Sequence, residues 1–164
     1  MYQAGLVLER GGMKGVYTAG VLDFFTEKGI DFSKIVDETF YTKTYNQNRV
    51  MGQALLDSRL YLNDQCIVSV ITQKQMKQFD VLPKHLDGIV NQLRVTKDVK
   101  LAVFIYENED GSFKVSLRVN GNFDAASLAM HFGGGGHVKA AGCTMYGTQE
   151  QVVSTLLEEV EKRL

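Results

Sequence analysis

Gly133 to Gly136 form an uninterrupted run of four glycines that leads directly into His137 and then Val138-Lys139-Ala140-Ala141-Gly142. No other stretch of the chain sets so much backbone freedom beside a titratable ring. Glycine takes positive φ and lets a ligand approach the main chain, but it loses more entropy on folding than any other residue. Four in succession need a compensating interaction. One reading is a backbone cradle whose N–H groups converge on phosphate oxygens, with His137 as a further donor at its exit. The other is a turn between Met130 and Cys143 with a solvated imidazole. A linker continues in Ser, Gly and polar residues, whereas Ala140, Ala141 and Gly142 suit close packing. The segment therefore reads as a held loop, and as the best candidate for an anion site.

The 164 residues suit one ordinary domain, or one domain with a fragment, and a hydrophobic content of 45% suffices for a core. A formal net charge of −1 gives no global basic field, so polyanion binding has to rest on a local cluster. Cys66 and Cys143 lie far apart without C-x-x-C spacing. That pattern supports neither zinc nor dithiol chemistry, and the expectation is a pair of buried thiols in a reduced, cytoplasmic protein. Glu9, Arg10 and Lys14 interrupt the apolar residues of the amino terminus, which argues against a signal peptide. No apolar run approaches the ~18 residues of a membrane span.

Gly5 to Glu9 reads as a strand, Arg10 to Gly15 as a glycine-rich turn, and Val16 to Lys28 as a helix closed by Gly29. A helix is expected from about Asn46 to Ser58, a strand over Gln65 to Thr72, and helices over Gln73 to Phe79 and Lys84 to Arg94, the latter entered after Pro83. Leu101 to Glu107 and Phe113 to Val119 flank Asn108-Glu109-Asp110-Gly111, a hairpin signal. Asp124 is a candidate N-cap for a helix reaching Met130 or His131. Thr148 to Leu164 reads as an amphipathic closing helix with Val152, Val153, Leu156, Leu157 and Val160 on its apolar side. The fold class is thus α/β in the broad sense, α+β in detail: a mixed sheet with flanking helices and an added amino-terminal strand-turn-helix.

Four segments occur in a telling order: SKIVDETFYTKTYNQNRVMGQALL, HLDGIVNQLR, KVSLR and HFGGGGHVKAAG. Through them the span from about Ser33 to Leu164 resembles the carboxy-terminal, substrate-binding domain of DHH-family phosphoesterases, particularly the nanoRNase and pAp-phosphatase-like members. The resemblance implies that Arg118 and the loop Gly133, Gly134, Gly135, Gly136 and His137 contact a phosphate or terminal nucleotide of a short oligonucleotide or nucleoside phosphate. A guanidinium fork matches phosphate more directionally than an ammonium does. Family members often have Arg-Ser-Lys or Arg-Ser-Asn where this chain has Arg118-Val119-Asn120, so one substrate-binding hydroxyl is replaced. The family's metal-binding domain, with its Asp-His-His signature and divalent Mn or Mg, would precede Ser33, and the expectation is that this chain lacks it. His85, His131 and His137 are not spaced as a ligand set. Phosphodiester hydrolysis by that route needs the metal, so the expectation is a chain that binds without cutting and holds no cofactor of its own.

The opening GLVLERGGMKGVYTAGVLDFFTEKGIDF resembles the first strand, oxyanion loop and first helix of bacterial patatin-like phospholipases. That resemblance implies a vestigial oxyanion loop at Gly11, Gly12 and Gly15. Arg10 stands where the family usually has Gly, and no G-x-S-x-G nucleophile elbow follows. The expectation is a join near Phe32-Ser33, with residues 1–32 packed on the main domain or dimerising through Leu6, Leu8, Phe24 and Phe25. The leading expectation is a nucleotide-phosphate binding module. The alternatives are an inactive acyl hydrolase and a chimera without biological ligand.

Overall fold

The computed structural model describes residues 27–29 and 42–164. The chain divides into two compact units, Met1–Lys43 and Thr44–Leu164. The expected strand, glycine turn and most of the helix of residues 1–32 lie outside the described residues, as do Gly11, Gly12 and Gly15. Of that segment, Glu27 is helical and Gly29 has φ 72°, the left-handed geometry that closes a helix.

Helix α1 (Tyr45–Leu56) starts at Thr44, whose hydroxyl accepts from the Gln47 N–H while the Gln47 side chain accepts from the Thr44 N–H. This reciprocal cap satisfies two N–H groups that no turn of helix can reach. A short strand β1 (Arg59–Tyr61) pairs antiparallel with β2 (Cys66–Ile71). From β2 the chain crosses through α2 (Gln73–Phe79), a 3₁₀ turn (Pro83–Leu86) and α3 (Ile89–Arg94) to reach β3 (Leu101–Glu107), which runs parallel to β2. Parallel neighbours require such a helical crossover. The expected continuous helix from Lys84 to Arg94 is therefore corrected to two pieces. Gly88, at φ 90°, lies in the left-handed region and interrupts the helical path between them.

The predicted hairpin joins β3 to β4 (Phe113–Val119), and its loop closes where the Asp110 carboxylate accepts from both the backbone N–H and the hydroxyl of Ser112. Helix α4 (Ala125–His131) follows with Asp124 as its cap, the carboxylate accepting from the Ser127 N–H. Then come β5 (Gly135–His137), β6 (Ala140–Met145) and α5 (Gln149–Glu161). The sheet order is β1-β2-β3-β4-β6-β5. Sequence patterning did not anticipate β1, β5 or β6; the segment read as a glycine loop ends as an edge strand paired with β6.

Each face of the sheet buries its own core. On one, Leu101, Val103, Ile105, Val115, Leu117 and Cys143 meet Leu128 of α4 and Val152, Leu156 and Val160 of α5. On the other, Ile67, Ile71, Ala102 and Phe104 meet Val50, Ala54, Met76, Phe79, Ile89 and Leu93 of α1 to α3. The second core contains no residue of β4, β5 or β6. Among the described residues, α3 reaches the near edge of β4 on this face, and beyond it the β4-β6-β5 strands form a shelf outside that core.

Candidate functional site

Strand β4 alternates strictly: Phe113, Val115, Leu117 and Val119 are buried, while Lys114, Ser116 and Arg118 are half-buried. Alternate residues point to opposite faces, so these three polar side chains project onto the shelf side of the sheet. Register then decides what stands beside them. Arg118 pairs with Ala140 of β6, and Ala140 pairs with His137 of β5. Arg118, Ala140 and His137 thus share one rung, with guanidinium and imidazole on the same face, two strand spacings or about 10 Å apart at their Cα atoms. The next rung holds Ser116, Gly142 and Gly135. Ala140 and Gly142 form a low floor between a wall made by Ser116 and Arg118 and a wall made by His137.

The four glycines have separate roles. Gly133, at φ 72°, follows the C-cap of α4; its N–H donates to Met130 O and that of Gly134 to Ala129 O, the pair of bonds of a Schellman motif. These two N–H groups are occupied by the helix terminus, which narrows the expected four-glycine cradle. A Cβ on Gly134 would lie 2.2 Å from Gly142 O and 2.6 Å from Cys143 Cβ. One on Gly136, where φ is 145°, would lie 2.5 Å from both Ala140 O and Ala141 Cα. Both residues are glycine because β5 lies against β6. Gly135 differs: nothing stands within 4 Å of a Cβ placed there, and the residue is exposed. Its missing side chain leaves the trough open above Gly142.

The hairpin that carries His137 is anchored at its tip. Ala125 N–H donates to Val138 O at 2.9 Å, Val119 N–H donates to Lys139 O at 3.1 Å, and Lys139 Nζ bonds Gly121 O. Arg118 uses Nη1 to donate to Leu117 O at 2.9 Å, and no ion pair between described residues involves it. The surface salt bridge that position alone would suggest is absent among the described residues. A hollow of about 160 Å³ opens beside Arg118 and Ser116, walled by Leu86, Val90, Phe104 and Tyr106. Asn120, which follows in the strand, points elsewhere: its amide donates to Arg94 O and Val99 O, tying β4 to the end of α3.

Cys66 and Cys143 are free and buried, as their spacing suggested. Burial pushes the Cys66 thiol up to about 12 and raises that of Cys143, so neither presents a thiolate near neutral pH. Among the described residues no group of three or more His, Cys, Asp or Glu side chains could hold a metal ion. These residues do not fit a divalent-metal site. A second, wider hollow of about 920 Å³ lies along β1 and β2, with Asp57, Arg59, Lys74 and Glu150 on its walls. It contains none of the candidate binding residues named from sequence, and its charges are of both signs. The residues that sequence reasoning missed are Ser116 and Gly142; alternation in FKVSLRV places the first on the Arg118 face, but only strand register brings the second beneath it.

The chain is 31% identical over 117 residues to the bifunctional oligoribonuclease and PAP phosphatase NrnA of Thermus thermophilus, covering 71% of this chain and 34% of that protein. The protein of the same description from Mycoplasma genitalium is 24% identical, with coverage of 82% and 37%. The chain thus spans about a third of the length of these curated relatives. Among solved structures, an exopolyphosphatase-related protein from Bacteroides fragilis superposes with a TM-score of 0.81 at 29% identity, over 89% of this chain and 43% of that one. A pGpG-specific phosphodiesterase from Vibrio cholerae shares the fold, with a TM-score of 0.51 at 11% identity over 70% of this chain and 38% of that one. No helix among the described residues is long and apolar enough to cross a membrane. Residues 63–164 match the DHHA1 domain, and the chain belongs to that family.

Proposed function

We propose that the trough between Arg118 and His137 binds a phosphate of a terminal nucleotide in a short oligonucleotide or nucleoside phosphate. The observation that carries this reading is the shared rung: Arg118, Ala140 and His137 place two potential phosphate donors on one face, separated by small residues. Arg118 supplies the charge-assisted fork. His137 supplies a ring N–H from the opposite wall, and Gly135 leaves room for the ligand to settle toward the β6 backbone. The hollow beside Arg118, lined by Leu86, Val90 and Tyr106 together with Asp87 and Ser116, is a mixed apolar and polar recess against which part of the attached nucleoside can rest. Relatives described as acting on oligoribonucleotides and PAP support the ligand class.

The described residues bind and orient; hydrolysis would draw its divalent metal, Mn or Mg, from ligands outside them. Titration of the chain with a fluorescently labelled 5′-phosphorylated dinucleotide and with pAp tests the proposal. Binding at low salt that His137→Ala and Arg118→Ala each weaken is the expected result. Absence of binding at low salt, or indifference to both substitutions, rules the trough out. The acyl-hydrolase alternative rests on residues 1–32, and ester turnover abolished by a fluorophosphonate would revive it.

A further inference from the structure

Two residues along β4 from Arg118 stands Ser116, and two further stands Lys114, all on the same face. Lys114 pairs with Thr144 as Ser116 pairs with Gly142, so a third rung of the shelf presents an ammonium beside a hydroxyl. Same-face side chains in a strand repeat every two residues, about 7 Å. That repeat is close to the separation of neighbouring phosphates along an extended single strand, the form in which a positively charged groove follows a nucleic-acid backbone. No carboxylate occupies any position of these rungs on β4, β6 or β5. Lys114 makes no ion pair with a described residue, and the hydroxyls of Ser116 and Thr144 make no hydrogen bond with one.

From this arrangement we infer that β4 carries a distal phosphate subsite at Lys114 and Thr144, reached from Arg118 through Ser116, so that the shelf reads the length of an oligonucleotide. The inference rests on the assignment of Arg118 and His137 as the primary phosphate site. Its content is geometric. A ligand whose first phosphate lies at Arg118 places the next at Ser116 and the third at Lys114, with the chain running from the Val119 end of β4 toward Phe113. A dinucleotide with one terminal phosphate has two phosphates and stops at Ser116. A trinucleotide reaches Lys114. Inorganic tripolyphosphate has three phosphates but a much shorter repeat, and does not span the distance from Arg118 to Lys114, four residues further back along the strand.

The test compares the full chain with its Lys114→Gln and Thr144→Val variants, using 5′-phosphorylated di- and trinucleotides and tripolyphosphate at several salt concentrations. The wild type is expected to bind the trinucleotide roughly tenfold more tightly than the dinucleotide, and Lys114→Gln to remove that gain. The salt dependence of trinucleotide binding falls by about 0.7 in log–log slope, one phosphate's worth for a single strand. Thr144→Val lowers trinucleotide affinity in the same selective way without changing net charge. Tripolyphosphate affinity is the same in wild type and Lys114→Gln. Equal loss for di- and trinucleotide in Lys114→Gln, or no loss for either, overturns the distal subsite while leaving the primary site intact. Failure of the wild type to bind either oligonucleotide overturns the primary site and this inference together. Both substituted side chains are half-buried on the shelf, and matching thermal melts show that affinity changes are not losses of fold.

Discussion

Gly134 and Gly135 are adjacent and chemically identical, yet alanine at each has opposite consequences. At position 134 the new methyl carbon meets Gly142 O at 2.2 Å, Cys143 Cβ at 2.6 Å and Cys143 Cα at 2.7 Å. All three neighbours belong to a paired strand, so relief requires β5 to lift from β6. Overpacking of this kind costs about 1–3 kcal/mol, and the upper end applies because no flexible side chain can yield. With an m value of about 1.5 kcal/mol/M, a loss of about 3 kcal/mol lowers the urea midpoint by about 2 M. At position 135 the methyl meets nothing within 4 Å and φ is not positive, so stability stays within about 0.5 kcal/mol of wild type. That methyl does stand in the trough on the Ser116 rung. Gly135→Ala should therefore weaken dinucleotide binding at least about tenfold, or ~1.4 kcal/mol. Urea melts and anisotropy titrations on the two variants decide the matter. A Gly134→Ala protein as stable as wild type would refute the packing argument. A Gly135→Ala protein that binds normally would refute the trough.

Arg118→Ala should lower dinucleotide affinity by about 2 kcal/mol, roughly 30-fold, with Arg118→Lys recovering only part because a point charge lacks the fork; isothermal titration measures both. Asn120→Ala removes two hydrogen bonds, to Arg94 O and Val99 O, and should cost about 1–3 kcal/mol in denaturant melts with dinucleotide affinity within twofold of wild type. Cys66, raised from 9.0 to about 12 by burial, holds its proton in the fold. The stability this gives is complete below about pH 9, where the unfolded thiol is also protonated, and is lost as pH rises toward 12. Native protein at about pH 8 should thus resist iodoacetamide at Cys66 until denaturant is added, and mass spectrometry of the labelled protein reports it.

What the sequence revealed and concealed follows from the range of each interaction. The two β-prone runs and the Asn108 to Gly111 turn between them are local signals, and they placed β3 and β4 correctly. The apolar side of the closing helix was equally legible, since Val152, Leu156 and Val160 are its fully enclosed residues. Three reciprocal caps, at Thr44 and Gln47, Thr72 and Gln75, and Thr148 and Gln151, recur as the same T-x-x-Q spacing and were available to a local reading. The hairpin of β5 and β6 was not. Gly135, Gly136, Ala140 and Gly142 have low strand propensity, and they form strands because β6 pairs with β4 across more than twenty residues of sequence. The break at Asp87 and Gly88 escaped for a related reason: the apolar spacing around it suits a helix, while Gly88 takes φ 90°. The run of four glycines therefore looked like one device, although its members serve a helix cap, two close strand contacts and one open position.

Amide chemical-shift mapping of the full chain during titration with a 5′-phosphorylated dinucleotide tests the central claim most directly. Perturbations concentrated at Ser116, Arg118, Gly135 to His137 and Ala140 to Gly142 are the predicted result. Perturbations concentrated at Arg59, Lys74 and Gln149, on the wider hollow along β1 and β2, would contradict it.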